Sequence, residues 1–160
     1  MAFLLPLDHM AFLTESNLIE GIASPNEVQM IAFKKFMGLK KLCVKDIQTL
    51  ASELHGGRFC ELRIHPWQNV QVGNHIAPRG GPLIKPEFKM LLENVNKDGL
   101  HPYKVHQWYE TLHPFTDGNG RTGRAVWVWQ MERYGYWFNG SFLHTYYYQS
   151  LEQIEKRTSK

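Results

Sequence analysis

The stretch HPFTDGNGRTGR, residues 113–124, decides the fold of this chain, because a glycine-rich loop and the start of a helix meet in it. Gly118 and Gly120 flank Asn119, and glycine allows a loop to bring its backbone N–H groups close to an anion. A helix-forming run from Arg121 to Tyr134 follows at once, and a helix start offers unpaired N–H donors and the positive end of the helix dipole. The stretch therefore predicts an anion site suited to phosphate.

Four side chains of this stretch supply the groups that phosphate chemistry needs. Arg121 and Arg124 are three residues apart, so they share one face of the first helical turn and can clamp phosphate oxygens. Asp117 can hold a hard cation through a carboxylate oxygen, and His113 titrates near neutral pH and can take a proton from a hydroxyl group. A plain surface turn before a solvated helix explains the glycines but neither the histidine nor the arginine spacing. The joint pattern therefore favours a catalytic site.

The same stretch resembles the signature of Fic proteins, H-P-F-x-[D/E]-G-N-G-R-x-x-R, at every specified position. Members of that family transfer part of a nucleotide, usually AMP from ATP, to a hydroxyl side chain of a target protein. The resemblance implies that His113 is the general base, that Asp117 binds Mg²⁺ and that Phe115 is buried and anchors the loop. It also implies a set of residues that contact the phosphates: Gly118, Asn119, Gly120, Arg121 and Arg124.

A second resemblance lies near the N-terminus, in the segment SNLIEG from Ser16 to Gly21. Periodicity alone makes residues 9–21 a short amphipathic helix that Gly21 closes, with Glu20 as an exposed glutamate. The segment resembles the Fic inhibitory motif, [S/T]-x-x-x-E-[G/N], which precedes the core in one class of the family. The resemblance implies that Ser16, Glu20 and Gly21 are regulatory and that Glu20 inhibits the enzyme.

Pro, Gly and short apolar alternations dominate the sequence from Arg58 to Pro86. Within it, Phe59–Ile64 and Asn69–Val72 predict a β-hairpin or two short strands, and a connecting loop is the alternative. Residues 70–78, VQVGNHIAP, resemble the Fic flap, V-x-I-G-x-H-x-P-P, although an alanine replaces one common proline. In that family the exposed strand edge of the flap pairs with the target protein, which implies a flap over about 58–80. The resemblance also places two flap residues at the nucleotide: Val72 and Gly73.

Six further helices follow from hydrophobic periodicity and from start and stop signals. One begins with Ser24 as N-cap and Glu27 closing a capping box, and it ends near Met37. The others span Val44–Leu54, Pro86–Lys97, Pro102–Leu112, Arg121–Tyr134 and a last segment from about Phe142.

Two of these helices carry further candidate residues. The helix from Pro102 delivers His113 at its C-terminal end, where the helix dipole favours a charged histidine and raises its pKa. His106, seven residues earlier, is interpreted as a hydrogen-bonded structural histidine rather than half of a metal pair, because further ligands are missing at the usual spacing. In the last helix, Tyr147-Tyr148-Gln149-Ser150-Leu151 resembles the family's Y-Y-x-x-L segment beside the adenine pocket, which implies that both tyrosines contact the nucleotide.

Composition limits the chain to one ordinary globular domain. It has 160 residues, of which 43% are hydrophobic and 21% charged, and this is enough for one core. A net charge of +3 without a dense Lys/Arg cluster argues against nucleic acid, and Met1–Leu7 has neither the basic flank of a secretory signal nor the length of a membrane span. Cys43 and Cys60 are expected to stay reduced. We therefore expect a single cytoplasmic domain over 1–160, without membrane or nucleic-acid partners.

The sequence and the resemblance together predict a mainly α-helical bundle with a small β-hairpin flap. The resemblance implies a protein adenylyltransferase that moves AMP from ATP, with Mg²⁺ as cofactor, to a Tyr, Thr or Ser hydroxyl of a target protein docked at the flap, and that is inhibited by its own Glu20. Removal of AMP by hydrolysis, transfer of the γ-phosphate, and a non-catalytic nucleotide-binding or toxin-related module are the alternatives. The sequence leaves open the target, the preferred nucleotide and whether the chain forms homo-oligomers.

Overall fold

The computed structural model describes residues 8–135, which form six α-helices and one two-stranded antiparallel sheet. In chain order the elements are α1 His9–Ile19, α2 Glu27–Met37, α3 Val44–Leu54, β1 Gln71–Val72, β2 His75–Ile76, α4 Ile84–Lys97, α5 Pro102–Leu112 and α6 Asn119–Arg133. The predicted fold class, a helical bundle with a small hairpin, is confirmed. The helix predicted from Phe142, with Tyr147 and Tyr148, lies outside the described residues. Among residues 8–135, no helix is both long enough and apolar enough to cross a membrane.

The helix α6 is the centre of the bundle. It packs against α1, α3, α4 and α5, and its residues from Ala125 to Met131 are buried except for the partly buried Trp127. A helix that is apolar on all sides is stable only where neighbouring elements cover every face. The first turn of α6, which belongs to the glycine-rich loop, is therefore continuous with a helix that is fixed by its packing. The surrounding core includes Phe12, Phe33, Ile47, Leu50, Phe88, Leu91, Val105, Tyr109 and Phe115.

The start of α2 differs from the prediction. Its N-cap is Asn26, whose side chain accepts a hydrogen bond from the Gln29 backbone N–H at 2.9 Å, while the Gln29 side chain accepts one from the Asn26 N–H at 3.1 Å. The prediction of Ser24 as N-cap, with Glu27 in the capping box, is wrong. The two patterns are offset by two residues, and asparagine is at least as good an N-cap as serine, so the later pattern prevails.

The hairpin is shorter than the sequence predicts. The strands β1 and β2 have two residues each and are joined by a tight turn in which Gly73 has a φ of +56°. The predicted strand Phe59–Ile64 does not form; within it Leu62 makes an isolated antiparallel bridge to Phe115. The segment before the flap therefore pairs with the glycine-rich loop rather than with the hairpin, which joins the base of the flap to the candidate site.

Candidate active site

A cavity of about 540 Å³ lies where the glycine-rich loop meets α1, α3, α5 and the hairpin. Its walls include Glu20 after α1, His55 after α3 and Val72 in β1. The quoted stretch contributes His113, Asp117, Gly118, Asn119, Gly120, Arg121 and Arg124. The structure thus gathers the predicted base, metal ligand, loop and arginines around one space. Gly73, in the hairpin turn, is not part of the wall that the described residues form.

The backbone of α5 fixes the tautomer of the His113 ring. It caps the C-terminus of α5 in the left-handed region, with a φ of +47°, and it is 7% exposed. Its Nδ1 lies 2.6 Å from the carbonyl oxygen of Glu110. Because a carbonyl only accepts, Nδ1 carries the proton, and Nε2 of the neutral ring has the lone pair. His113 therefore presents an acceptor nitrogen in the cavity wall.

The pKa of His113 moves in the direction opposite to the one expected from the helix end. Burial of the imidazole lowers its pKa below the ordinary value of 6.5, and the hydrogen bond to the Glu110 carbonyl opposes this only in part. Desolvation penalises the charged ring more than the C-terminal end of α5 favours it. The neutral form therefore dominates at pH 7, as a general base requires.

Asn119 fixes the glycine-rich loop with its side chain. Asn119 Oδ1 accepts from the Phe115 backbone N–H at 2.9 Å, and Asn119 Nδ2 donates to the Phe115 carbonyl at 2.8 Å. Phe115 is fully buried and packs edge-on against Phe88, with ring centroids 5.6 Å apart. Gly118 takes a φ of +77° at the N-cap of α6. The loop is thus shaped from within, and the N–H groups of the first helical turn remain directed at the cavity end.

Arg124 forms hydrogen bonds with the segment that resembles the Fic inhibitory motif. It is completely buried, and its Nε donates to Ser16 Oγ at 2.8 Å. Its Nη2 donates to the Ser16 carbonyl at 3.0 Å and to Glu20 Oε1 at 2.7 Å. Ser16 and Glu20 lie more than a hundred residues before Arg124 in the chain, so this contact joins the first helix to the last described one.

The carboxylate of Glu20 also lies directly over the loop. A Cβ placed on Gly120 would collide with Glu20 Oε1, so the glycine is required for this close approach. Gly21 follows with a φ of +67°, a conformation that residues with a side chain rarely adopt. The helix α1 therefore ends with its last carboxylate placed between the loop and Arg124.

Arg121 and Asp117 are linked through His55, a residue that the sequence did not single out. Arg121 Nη1 donates to the Leu54 carbonyl, and its Nη2 donates to His55 Nδ1 at 2.8 Å. Because a guanidinium only donates, Nδ1 of His55 is an acceptor, and the ring proton sits on Nε2. That Nε2 lies 3.2 Å from Asp117 Oδ2. His55 thus orients both the arginine and the carboxylate.

The donor set around Asp117 fits Mg²⁺ bound together with a nucleotide. Its side chain is 63% exposed, and its Oδ1 accepts from the Gly118 N–H at 2.7 Å. Within residues 8–135, no group of three His, Cys, Asp or Glu side chains is arranged to hold a metal alone. Mg²⁺ is commonly held by one or two carboxylates together with phosphate oxygens and water. One exposed carboxylate beside a phosphate-type loop meets that requirement.

Glu110 is a third acidic residue in the cavity wall, beside Glu20 and Asp117, and sequence reasoning missed it. Its carboxyl is buried, with Oε2 3.9 Å from His113 Nδ1. Burial raises the pKa of Glu110 to about 8, opposed by Arg124 and reinforced by Glu20. Glu110 is therefore mainly neutral at pH 7. Its place three residues before His113, on the same helical face, is the only local signal for it.

His106 behaves as the structural histidine that the sequence indicated. It is 3% exposed, and its Nδ1 lies 3.1 Å from the Gly123 carbonyl. Burial, followed by the charge of Arg124, lowers the pKa of His106 to about 3. The ring is thus neutral and supports the packing of α5 on α6.

Comparisons with known proteins agree with this geometry. The sequence model of the Fic/DOC family matches residues 39–131. The protein adenylyltransferase Fic of Drosophila persimilis is 31% identical over 109 residues, which are 60% of this chain and 20% of that protein. The protein of the same name from Drosophila melanogaster is 32% identical over 108 residues, 59% of this chain and 21% of the relative. That from Drosophila mojavensis is 34% identical over 89 residues, 52% and 16% of the two chains.

The matched part corresponds to about a fifth of the length of these relatives. The family match, in contrast, covers more than half of this chain and includes the loop, both arginines, His113 and the hairpin. The resemblance of residues 113–124 to the Fic signature is therefore confirmed, and the chain belongs to the Fic/DOC family.

Proposed function

We propose that this chain transfers AMP from ATP to a Tyr, Thr or Ser hydroxyl of a target protein. The observation that carries the proposal is the hydrogen bond from His113 Nδ1 to the Glu110 carbonyl, beside a glycine loop that opens a helix. It leaves Nε2 as a base in the same cavity as two arginines, and guanidinium groups and helix starts both suit phosphate. Family membership and the names of the relatives support the same reaction.

In the proposed reaction the acceptor hydroxyl oxygen attacks the α-phosphorus of ATP in line, and the bond from that phosphorus to the leaving pyrophosphate breaks. His113 Nε2 takes the hydroxyl proton, and the bond electrons leave with pyrophosphate. The first turn of α6, Arg121 and Arg124 hold the phosphate oxygens. Mg²⁺ held at Asp117 would neutralise part of their negative charge. Positioning and charge neutralisation supply most of the catalysis in reactions of this kind.

We infer further that Glu20 keeps this enzyme self-inhibited. Its carboxylate engages Arg124 Nη2 at 2.7 Å and covers Gly120. A nucleotide that needs the same guanidinium for its outer phosphates must compete with Glu20. A nucleotide bound beside Glu20 is displaced, so its α-phosphorus is no longer in line with the hydroxyl.

The target protein is proposed to dock along β1. Val72 of this strand is 40% exposed and forms part of the cavity wall. In the described part of the chain β1 pairs only with β2, so its other edge has backbone groups for an added strand. A segment paired there would carry its hydroxyl side chain over the cavity that contains His113.

ATP labelled separately on its α- and γ-phosphates tests the reaction. We expect the Glu20→Gly variant to transfer the α-label to protein and to leave the γ-label in pyrophosphate. The matched control is the same variant with His113→Ala, which should transfer neither label. The measurement is acid-stable label on protein after incubation with Mg²⁺, ATP and a lysate.

Each other outcome identifies one of the alternatives. Transfer of the γ-label would make the chain a phosphotransferase. Loss of a preformed AMP label, dependent on Glu20, would make it a hydrolase. Tight ATP binding without either label on protein would make it a nucleotide-binding module.

Replacing Asp117 with Ala should abolish the Mg²⁺-dependent part of ATP binding and strongly reduce transfer. The fold should persist, because 63% of this side chain is exposed. Calorimetric titration of ATP with and without Mg²⁺ measures the effect, and Glu132→Ala, an exposed carboxylate of α6, is the control. Equal Mg²⁺ dependence in Asp117→Ala and the wild type would show that the metal ligand is elsewhere.

A further inference from the structure

Arg63 is a buried cation that the proposed chemistry does not use. It has no exposed surface, and among residues 8–135 no carboxylate forms an ion pair with it. A charge is costly to bury unless its hydrogen bonds are satisfied. The hydrogen bonds of the Arg63 guanidinium all go to main-chain carbonyl groups, so its role follows from the segments to which those carbonyls belong.

Two of these carbonyls belong to the end of α5. Arg63 Nη2 donates to the Leu112 carbonyl at 2.7 Å, and its Nε donates to the His113 carbonyl at 2.5 Å. The last carbonyls of a helix have no partner within the helix and lie at the negative end of its dipole. The guanidinium therefore caps α5 and restrains the backbone of the catalytic base. The φ of +47° at His113 is a conformation that needs such support.

The remaining guanidinium contacts hold the flap on both sides. Arg63 Nη1 donates to the Gln68 carbonyl before β1, at 3.1 Å, and to the Pro78 carbonyl after β2, at 2.8 Å. The backbone of Arg63 extends the same junction, since its N–H donates to the Pro114 carbonyl at 2.9 Å and its carbonyl accepts from the Gly81 N–H at 2.9 Å. One side chain thus joins both ends of the flap to the residue that removes the proton.

We propose that Arg63 is a positioning residue that fixes the flap, and with it the docked target segment, relative to His113 Nε2. The inference rests on the proposed function for the docked segment, but the structural junction stands on the hydrogen bonds themselves. A planar guanidinium reaches four carbonyls in three segments because its donors form a rigid fork. Loss of the fork lets the flap shift against the base, and a misplacement of about 1 Å can reduce a rate by ~10²-fold.

The test compares Arg63→Met and Arg63→Lys in the Glu20→Gly background, where transfer is measurable. Arg79→Met is the matched control, since Arg79 lies in the same flap, is exposed and donates from its Nε to the Pro66 carbonyl at a long 3.5 Å. We expect Arg63→Met to label lysate protein with AMP ~10²-fold more slowly, while ATP affinity stays within about threefold of the parent. Lysine keeps the charge but not the fork, so Arg63→Lys should recover only a small part of the loss.

Amide hydrogen exchange gives a readout that needs no activity. The Ala77 N–H, which donates to the Val70 carbonyl across the flap at 3.2 Å, should exchange faster in both Arg63 variants, while amides inside α4 and α6 keep their protection. If Arg63→Met is too unstable to purify, Arg63→Lys carries the comparison. Equal losses of labelling, ATP affinity and α6 protection would reduce Arg63 to a general stabilising residue and overturn the proposal. Absence of any α-label in the Glu20→Gly parent would refute the proposed function instead, and the exchange data would still decide the role of Arg63.

Discussion

The Glu20→Gly variant is expected to transfer AMP about 10- to 10²-fold faster than the wild-type chain. The substitution removes the hydrogen bond of 2.7 Å between Glu20 Oε1 and Arg124 Nη2. A hydrogen bond between charged groups contributes about 1.5–3 kcal/mol, and about 1.4 kcal/mol corresponds to a tenfold change in population. The Arg124 Nη2 hydrogen bond that Glu20 accepted can then go to a phosphate oxygen of ATP.

The geometry of the bound nucleotide adds to this effect. Glu20 occupies the space over Gly120, where the proposed reaction places the phosphate groups of ATP. Without the Glu20 carboxylate, the triphosphate of ATP can bind on the glycine-rich loop with its α-phosphorus in line with the incoming hydroxyl. Correct orientation of reacting groups alone accounts for large factors in rate.

The relief of inhibition is measured as label transferred from α-labelled ATP to protein. Three further variants serve as controls. Glu20→Gln keeps the shape without the charge and should release in part. Glu15→Gln neutralises a different carboxylate of α1 and leaves Glu20 in place, so it should label like the wild type. The double variant Glu20→Gly with His113→Ala should be silent. Equal labelling by the wild type and Glu20→Gly would leave Glu20 as a structural partner of Arg124.

Replacing His113 should reduce transfer by at least ~10²-fold, the usual loss for a missing general base. ATP affinity should hardly change, because the phosphate contacts come from the loop and the arginines. His113→Asn is the better first variant, since asparagine tolerates the left-handed backbone found here, with a φ of +47°, more readily than alanine. His113→Asn and His113→Ala are each made in the Glu20→Gly background and compared with Glu20→Gly alone for label incorporation and for ATP affinity. Transfer at the parent rate by either His113 variant would remove the mechanism.

The pH profile of the Glu20→Gly enzyme tests the same base without a substitution. A general base acts in its deprotonated form, and burial lowers the pKa of His113 below its ordinary 6.5. The value of kcat/KM should therefore fall to half of its plateau only at a pH below 6.5. A half-maximal point above pH 6.5 would mean that a different group is the base.

The sequence predicted the parts of this molecule that depend on neighbouring residues. The bounds of α3 and α5 follow from local periodicity and capping, whereas α6 begins at Asn119, two residues before the predicted Arg121. The start of α2 was misplaced because two capping patterns, one beginning at Ser24 and one at Asn26, overlap in the sequence. Local rules do not rank such competitors reliably.

Residues whose partners are distant in the chain escaped prediction. Arg63 bonds to carbonyls 49 and 50 residues away, and His55 bonds to Arg121 across 66 residues. The predicted strand Phe59–Ile64 gave way to one bridge with Phe115, since the available partner was the loop after α5. The pKa of His113 was misjudged for the same reason: the helix end is visible in the sequence, whereas the burial that outweighs it is a property of the assembled fold.

The anchoring of α1 sets how fast the proposed inhibition responds. Phe12 is fully buried and stacks on Phe33, with ring centroids 5.3 Å apart, and uncovering such a side chain costs about 1.5–3 kcal/mol. Glu20 lies beyond this anchor, so its side chain can rotate away from Arg124 while the helix stays docked. Side-chain rotations and short-segment motions take nanoseconds to microseconds, far less than a typical turnover at about 10 s⁻¹. A resting molecule then opens and recloses many times within one catalytic cycle, and its steady output is the active rate multiplied by the open fraction. The proposed contact would therefore grade the activity through the fraction of open molecules, and it would not switch the enzyme fully off.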